Sequence, residues 1–168
     1  MRIGFDAKRA FNNYTGLGNY SRDTIRVLSS FYAENDYILY TPKKISNDRL
    51  NFIHNQSNIK IRTPYKFIDK IFSSFWRTKN IINDLKKDNL DIYHGLSHEL
   101  PIGIENTNIK SIVTIHDLIY LRYPNLFPSI DSKIYDKKFR SACKRANKII
   151  TVSLQTKKDI INYFSISE

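Results

Sequence analysis

Met1-Arg2-Ile3-Gly4-Phe5-Asp6, a polar segment from Lys8 to Tyr14, then Thr15-Gly16-Leu17-Gly18-Asn19-Tyr20: this opening stretch decides how the chain folds. Its first part is a short apolar run with an arginine at the edge, the pattern of a strand. Beyond the glycines, Tyr20, Ile25 and Leu28 recur at roughly helical spacing with Arg22, Asp23 and Arg26 between them. The reading is strand, glycine loop, helix. Glycines let a backbone approach a ligand with no Cβ in the way. A helix start then offers unpaired N–H groups and a partial positive charge suited to phosphate. The pair Gly16 and Gly18 lacks the third glycine of a dinucleotide fingerprint and the Gly-Lys-Ser/Thr ending of a P-loop. A phosphate loop and a plain strand-to-helix turn both remain open on this stretch alone.

Further along, Asp36 to Thr41 reads as a second strand closed by Pro42, and Asn58 to Arg62 as a third, nearer an edge. Lys43 to Asn58 between them is polar and carries no clear period. Tyr65 to Lys87 holds Ile68, Ile71, Phe72, Phe75, Ile82 and Leu85 at helical spacing, which predicts one amphipathic helix packed on a sheet. Asp91 to His94 is a fourth strand followed by a turn-rich loop to Pro101. Lys110 to Ile115, the most β-branched run, predicts a central buried strand ending in His116-Asp117. An aromatic loop from Tyr120 to Phe127 precedes a helix over 130–146. Lys148 to Val152 is a sixth strand, and Ser153 caps a helix from Leu154 to Phe164. Strands alternating with helices predict an α/β fold, a Rossmann-like parallel sheet with helices on both faces. Ligands of such sheets bind beyond the carboxyl ends of the strands. Three polar elements lie there: the Gly16/Gly18 loop, His94 to His98, and His116-Asp117.

Length and composition narrow the class. One domain of 168 residues can bury a real core, and 41% hydrophobic with 26% charged residues is ordinary for a globular protein. A lone Cys143 permits no internal disulfide and fits a reducing compartment. No secretion signal or membrane-spanning run is read, so the expected location is cytoplasmic, or peripheral on the inner face of the membrane. Sequon matches at Asn13, Asn19 and Asn55 are discounted on that basis. The net charge of +11 fits codon bias, nucleic acid, an anionic membrane surface or a phosphorylated small molecule. No zinc-finger spacing, RNP motif or basic helix-turn-helix supports nucleic acid. The basic aromatic run with Phe67, Phe75, Trp76 and Arg77 predicts contact with a membrane interface.

Four motifs then make the chain recognisable: Thr15 to Tyr20, His94-Gly95-Leu96-Ser97 to Pro101, Val113 to Leu118, and Ile149-Ile150-Thr151-Val152-Ser153. In that order they resemble the amino-terminal half of retaining glycosyltransferases of family 4. The resemblance is nearest to mannosyltransferase-like members that build bacterial cell-surface polysaccharide. It implies one half of a GT-B fold: residues 1–164 as the amino-terminal Rossmann-like domain, and 165–168 as the start of a linker to a carboxy-terminal domain. It further implies a metal-independent transfer of a hexose, with GDP-mannose as the expected donor. The acceptor would be a lipid-linked or oligosaccharide glycan precursor. By analogy Gly16, Leu17 and Gly18 face the donor diphosphate, and His116 is the catalytic residue beside the transferred sugar. The donor-gripping Glu-x7-Glu segment and Arg/Lys pair belong to the family's other half, so the chain alone is expected not to transfer sugar.

His94 and His98, spaced i, i+4, lack a third metal ligand and are read instead as acceptor contacts, together with Asn13 and Tyr14. Asp117 is expected to cap nearby backbone N–H groups. Two alternatives stand beside the transferase reading. One is a non-catalytic nucleotide-binding or partner module. The other is a dehydrogenase-like domain, weakened by the absent third glycine and by Tyr40-Thr41-Pro42 where an acidic residue belongs.

Overall fold

The computed structural model describes residues 1–45 and 48–167. Six parallel strands form one sheet in the order β3-β2-β1-β4-β5-β6. They are β1 (Arg2–Asp6), β2 (Asp36–Tyr40), β3 (Ile59–Arg62), β4 (Ile92–Gly95), β5 (Lys110–Ile115) and β6 (Lys148–Thr151). The chain is therefore an α/β protein with a Rossmann-like sheet. β2 shows why both faces are covered. Its side chains alternate, Tyr37 and Leu39 entering one apolar cluster and Ile38 and Tyr40 the other. The first cluster packs under α1 (Lys8–Asn12), α2 (Gly16–Phe31) and a 3₁₀ turn at Asp48–Asn55. The second lies under the helices that follow β3, β5 and β6.

Four expectations need correction. The glycines do not form a loop: α2 begins at Gly16, and the polar segment before it folds into α1. Lys110–Ile115 is interior but not central, since β1 and β4 hold the middle and only β6 lies beyond β5. Tyr120 to Phe127 is not a loop; it carries the end of α6 (Ile119–Arg122) and a 3₁₀ turn at Pro124–Leu126. The expected continuous helix over Tyr65–Lys87 is broken into α3 (Phe67–Ile71), α4 (Ser73–Phe75), a π turn (Trp76–Asn80) and α5 (Ile81–Lys87). Phe72 leaves the helical region with ψ 52°, and the π turn takes up an extra residue. That shift of register turns Trp76 inward, where Nε1 donates to Asp84 Oδ2 at 2.8 Å.

The remaining helices match the pattern closely. α7 spans Ser129–Arg145, and α8 spans Leu154–Phe164 with Ser153 Oγ accepting from Thr156 N at 3.1 Å. Ser165 closes α8 in the left-handed region (φ 54°), and Ile166 packs against the core. Of the expected linker start, Glu168 lies outside the described residues. No helix among the described residues is long and apolar enough to cross a membrane.

Candidate active site

The first turn of α2 is held from outside by Asn13. Its Oδ1 accepts from Thr15 N at 2.9 Å, Thr15 Oγ1 at 2.9 Å and Gly18 N at 3.0 Å. It acts as a cap supplied from ahead of the N-cap position. Gly18 is required by that geometry, because a Cβ there would lie 1.8 Å from the Asn13 carbonyl oxygen. Gly16 is different. A Cβ on it would meet nothing within 4 Å, and the residue is exposed. Arg22, one turn on, is buried, and its Nη1 donates to the carbonyls of Ala10 (2.8 Å) and Asn13 (2.7 Å), its Nη2 to Asn19 Oδ1 (2.6 Å). Sequence reasoning missed this arginine, which resembles any polar-face residue until α1 places carbonyls opposite it.

Tyr20 carries the helix onto the strand ends. Its ring meets His116 edge-on at 4.8 Å between centroids, and its hydroxyl lies 3.1 Å from Thr114 Oγ1. His116 follows β5 directly and is half-buried. Its Nε2 lies 2.9 Å from the Leu96 carbonyl oxygen. A carbonyl only accepts, so Nε2 carries the proton, and in the neutral ring Nδ1 keeps a lone pair. The His116 carbonyl accepts from Thr156 Oγ1 at 2.9 Å, fixing it to the first turn of α8. Asp117 Oδ1 accepts from Ile119 N at 3.2 Å, a local turn contact as its position suggested.

The two other histidines are withdrawn from the rim. His94 is buried, with Nε2 2.8 Å from Thr114 Oγ1, and burial pushes its pKa down to about 4. His98 stacks on Phe139 at 4.2 Å and meets His116 edge-on at 5.1 Å. Burial, with the neighbouring His116 and Arg9, pushes its pKa down to about 3. Both are neutral packing groups at physiological pH, and the acceptor contacts expected of them are closed off by burial. Asn13 is likewise occupied by its capping bonds. Tyr14 alone of that set is exposed, with the Arg49 guanidinium 5.5 Å from its ring centre.

Beside the histidines, Arg77 bridges two carboxylates. Its Nε lies 3.3 Å from Asp6 Oδ2, where β1 ends, and its Nη2 donates to Glu99 Oε2. Lys138 Nζ reaches Glu99 Oε1 at 3.0 Å. Burial opposes the Glu99 charge, but Arg77 and Lys138 outweigh it and hold the carboxyl below its usual range. Asp6, foremost, and then Glu99 hold the Arg77 guanidinium charged against burial. This group adjoins a cavity of about 270 Å³ whose apolar side includes Leu100 and Ile134. Of the residues expected at a membrane, Phe67 and Phe75 are exposed, whereas Trp76 (1% exposed) and Arg77 are turned inward. Asp6 and Glu99 escaped notice because each reads as an ordinary polar residue ending a strand or lying in a loop.

Cys143 is buried, and burial lifts its thiol to about 12, so it offers no thiolate nucleophile. Among the described residues, no group of three or more His, Cys, Asp or Glu side chains is placed to hold a metal ion. The rim thus presents a capped helix start, a histidine with one committed nitrogen, and an ion-pair cluster beside a cavity. A sequence profile of the family described as Glycosyltransferase Family 4 matches residues 14–168. No individually curated protein matches the chain.

Proposed function

The chain belongs to glycosyltransferase family 4, and we propose that it is the acceptor-side domain of a retaining, metal-independent hexosyltransferase acting on a cell-surface glycan precursor. As a glycosyltransferase-type domain it takes, in general terms, a nucleotide-sugar donor and an acceptor. The observation that carries the finer reading is the meeting of α2's first turn with His116 through Tyr20, on the carboxyl edge of the sheet.

That edge supplies the needed chemistry. The positive end of α2 at Gly16 and Leu17 faces the donor diphosphate and opposes the charge that builds on the leaving group. His116, with Nε2 committed to Leu96, offers Nδ1 to a hydroxyl of the transferred sugar. Tyr14 and the cavity beside Arg77 receive the acceptor, with Leu100 and Ile134 against its apolar surface. The donor assigned is GDP-mannose, by resemblance to mannosyltransferase-like members of the family. A second Rossmann-like domain across the cleft supplies most donor contacts. Exposed Ile119, Val152 and Leu154, just past the ends of β5 and β6, support that reading of the rim.

Calorimetric titration of GDP-mannose, UDP-sugars and NAD into the isolated chain tests the reading. Weak nucleotide-sugar binding without turnover is expected. Tight NAD binding with no response to any nucleotide sugar would sink it, and robust transfer by the isolated chain would refute the division of labour.

A further inference from the structure

The cavity of about 270 Å³ beside Arg77 carries more positive charge than its own ion pairs consume. Four cations line it, Arg77, Lys137, Lys138 and Arg145, against two carboxylates, Asp6 and Glu99. Both carboxylates are taken by Arg77, and Lys138 Nζ shares Glu99 at 3.0 Å. Arg145 Nε lies 3.6 Å from Glu105 Oε2, and its Nη2 donates to the Leu100 carbonyl at 2.9 Å. Lys137 is exposed and makes no ion pair among the described residues. The surplus is felt next door. Burial, then Arg77 and Arg9, push the Lys8 ammonium below its ordinary value against the pull of Asp6 and Glu99. Much of the remaining wall is apolar, with Leu100, Pro101, Ile102 and Ile134. No aromatic ring lines it, so a nucleobase finds no face to stack on. Its volume lies just under the roughly 300–1,000 Å³ of ordinary ligand pockets, room for one sugar ring.

We propose that this cavity takes an acceptor sugar bearing an anionic group, a carboxylate or a phosphate ester, with Lys137 meeting the anion and Leu100, Pro101 and Ile134 covering the ring's C–H face. A neutral sugar would leave the Lys137 charge without a partner. A free anion would leave the apolar wall bare. Because Lys137 stands in solvent, the anion keeps part of its hydration and little desolvation opposes binding. Arg77, already held by Asp6 and Glu99, adds to the positive potential without rearranging. That the ligand is an acceptor rests on the sugar-transfer reading above; its charge rests on the lining residues alone.

Backbone-amide NMR titration of the chain tests it, with glucuronate, glucose 6-phosphate, methyl glucoside and inorganic phosphate as probes. One or both anionic sugars are expected to shift the Leu100, Ile102 and Ile134 amides saturably, about tenfold more tightly than methyl glucoside and less so as salt rises. The tighter of the two identifies the anion as carboxylate or phosphate. Lys137→Gln lowers that affinity about threefold or more with an unchanged thermal melt, because the side chain is exposed and unpaired. Lys144→Gln, an exposed change on the same helix away from the cavity, leaves it intact. Equal binding of methyl glucoside overturns the inference, as does an equal loss in Lys144→Gln. Inorganic phosphate acting as strongly as the sugar phosphate would reduce the site to a charge and also overturn it. Shifts at Gly16 and Leu17 from GDP-mannose, with Leu100 and Ile134 silent to every sugar, would end this inference and leave the transfer reading standing. The reverse pattern would support the cavity's ligand and remove the donor.

Discussion

Gly16 and Gly18 stand two residues apart and answer to different demands. The Asn13 carbonyl fills the space a Cβ would need at Gly18, so Gly18→Ala must displace backbone. Overpacking of that kind costs about 1–3 kcal/mol, read as a fall in the urea midpoint. Nothing in the protein crowds Gly16. Gly16→Ala is accordingly expected to keep or slightly raise stability, by its helix propensity. If a diphosphate approaches that turn, the same change weakens nucleotide-sugar binding by about tenfold, because backbone contact is lost. Unaltered binding in Gly16→Ala would remove the phosphate from this turn. His116 shows a related economy: one acceptor, the Leu96 carbonyl, settles which ring nitrogen is free to act.

At the scale of elements, α8 does more than cover the sheet. Ser153 caps it, and Thr156 in its first turn holds the His116 carbonyl. Ser153→Ala is expected to cost about 1 kcal/mol of stability, measured by chemical denaturation, and to broaden the His116 ring resonances in NMR spectra. Sharp, unshifted His116 signals would show that α8 does not position it. This helix was fully legible in the sequence because cap, period and stop agree over one span. The 65–87 region was not. Its apolar residues keep helical spacing, yet Ile68, Ile71, Phe72 and Phe75 serve a surface while Ile82 and Leu85 serve a core, and periodicity cannot tell one apolar demand from the other. Past the break at Phe72, Trp76 and Arg77 turn inward to Asp84 on α5, Asp6 at the end of β1 and Glu99 after β4, contacts that spacing along the segment does not announce. The strand order was legible only as alternation, so β5 read as central from composition although β1 and β4 hold that place. Gly16, Gly18 and His116 were legible as residues lying past the ends of β1 and β5. His94 and His98 were misplaced because sequence does not reveal that their rings point into the core.

For the molecule as a whole, two buried histidines make stability depend on acid. Unfolded imidazoles take a proton near pH 6.5, whereas folded His94 and His98 resist until about 4 and about 3. Between those limits the unfolded chain binds more protons, so stability falls as pH falls. Each histidine contributes a slope approaching about 1.4 kcal/mol per pH unit between roughly pH 6 and 4. Urea midpoints across that range should drop steeply, and His98→Asn, which tolerates the left-handed backbone at φ 62°, should flatten the profile. A flat wild-type profile would mean both rings are protonated in the folded state. The turn secured by Arg22 and Asn13 has a kinetic corollary. The turn is already ordered by these bonds, so a ligand that met it would lose little ordering entropy there. Encounter there should follow single-step kinetics, and any slow phase must come from whatever closes over the rim rather than from the rim itself.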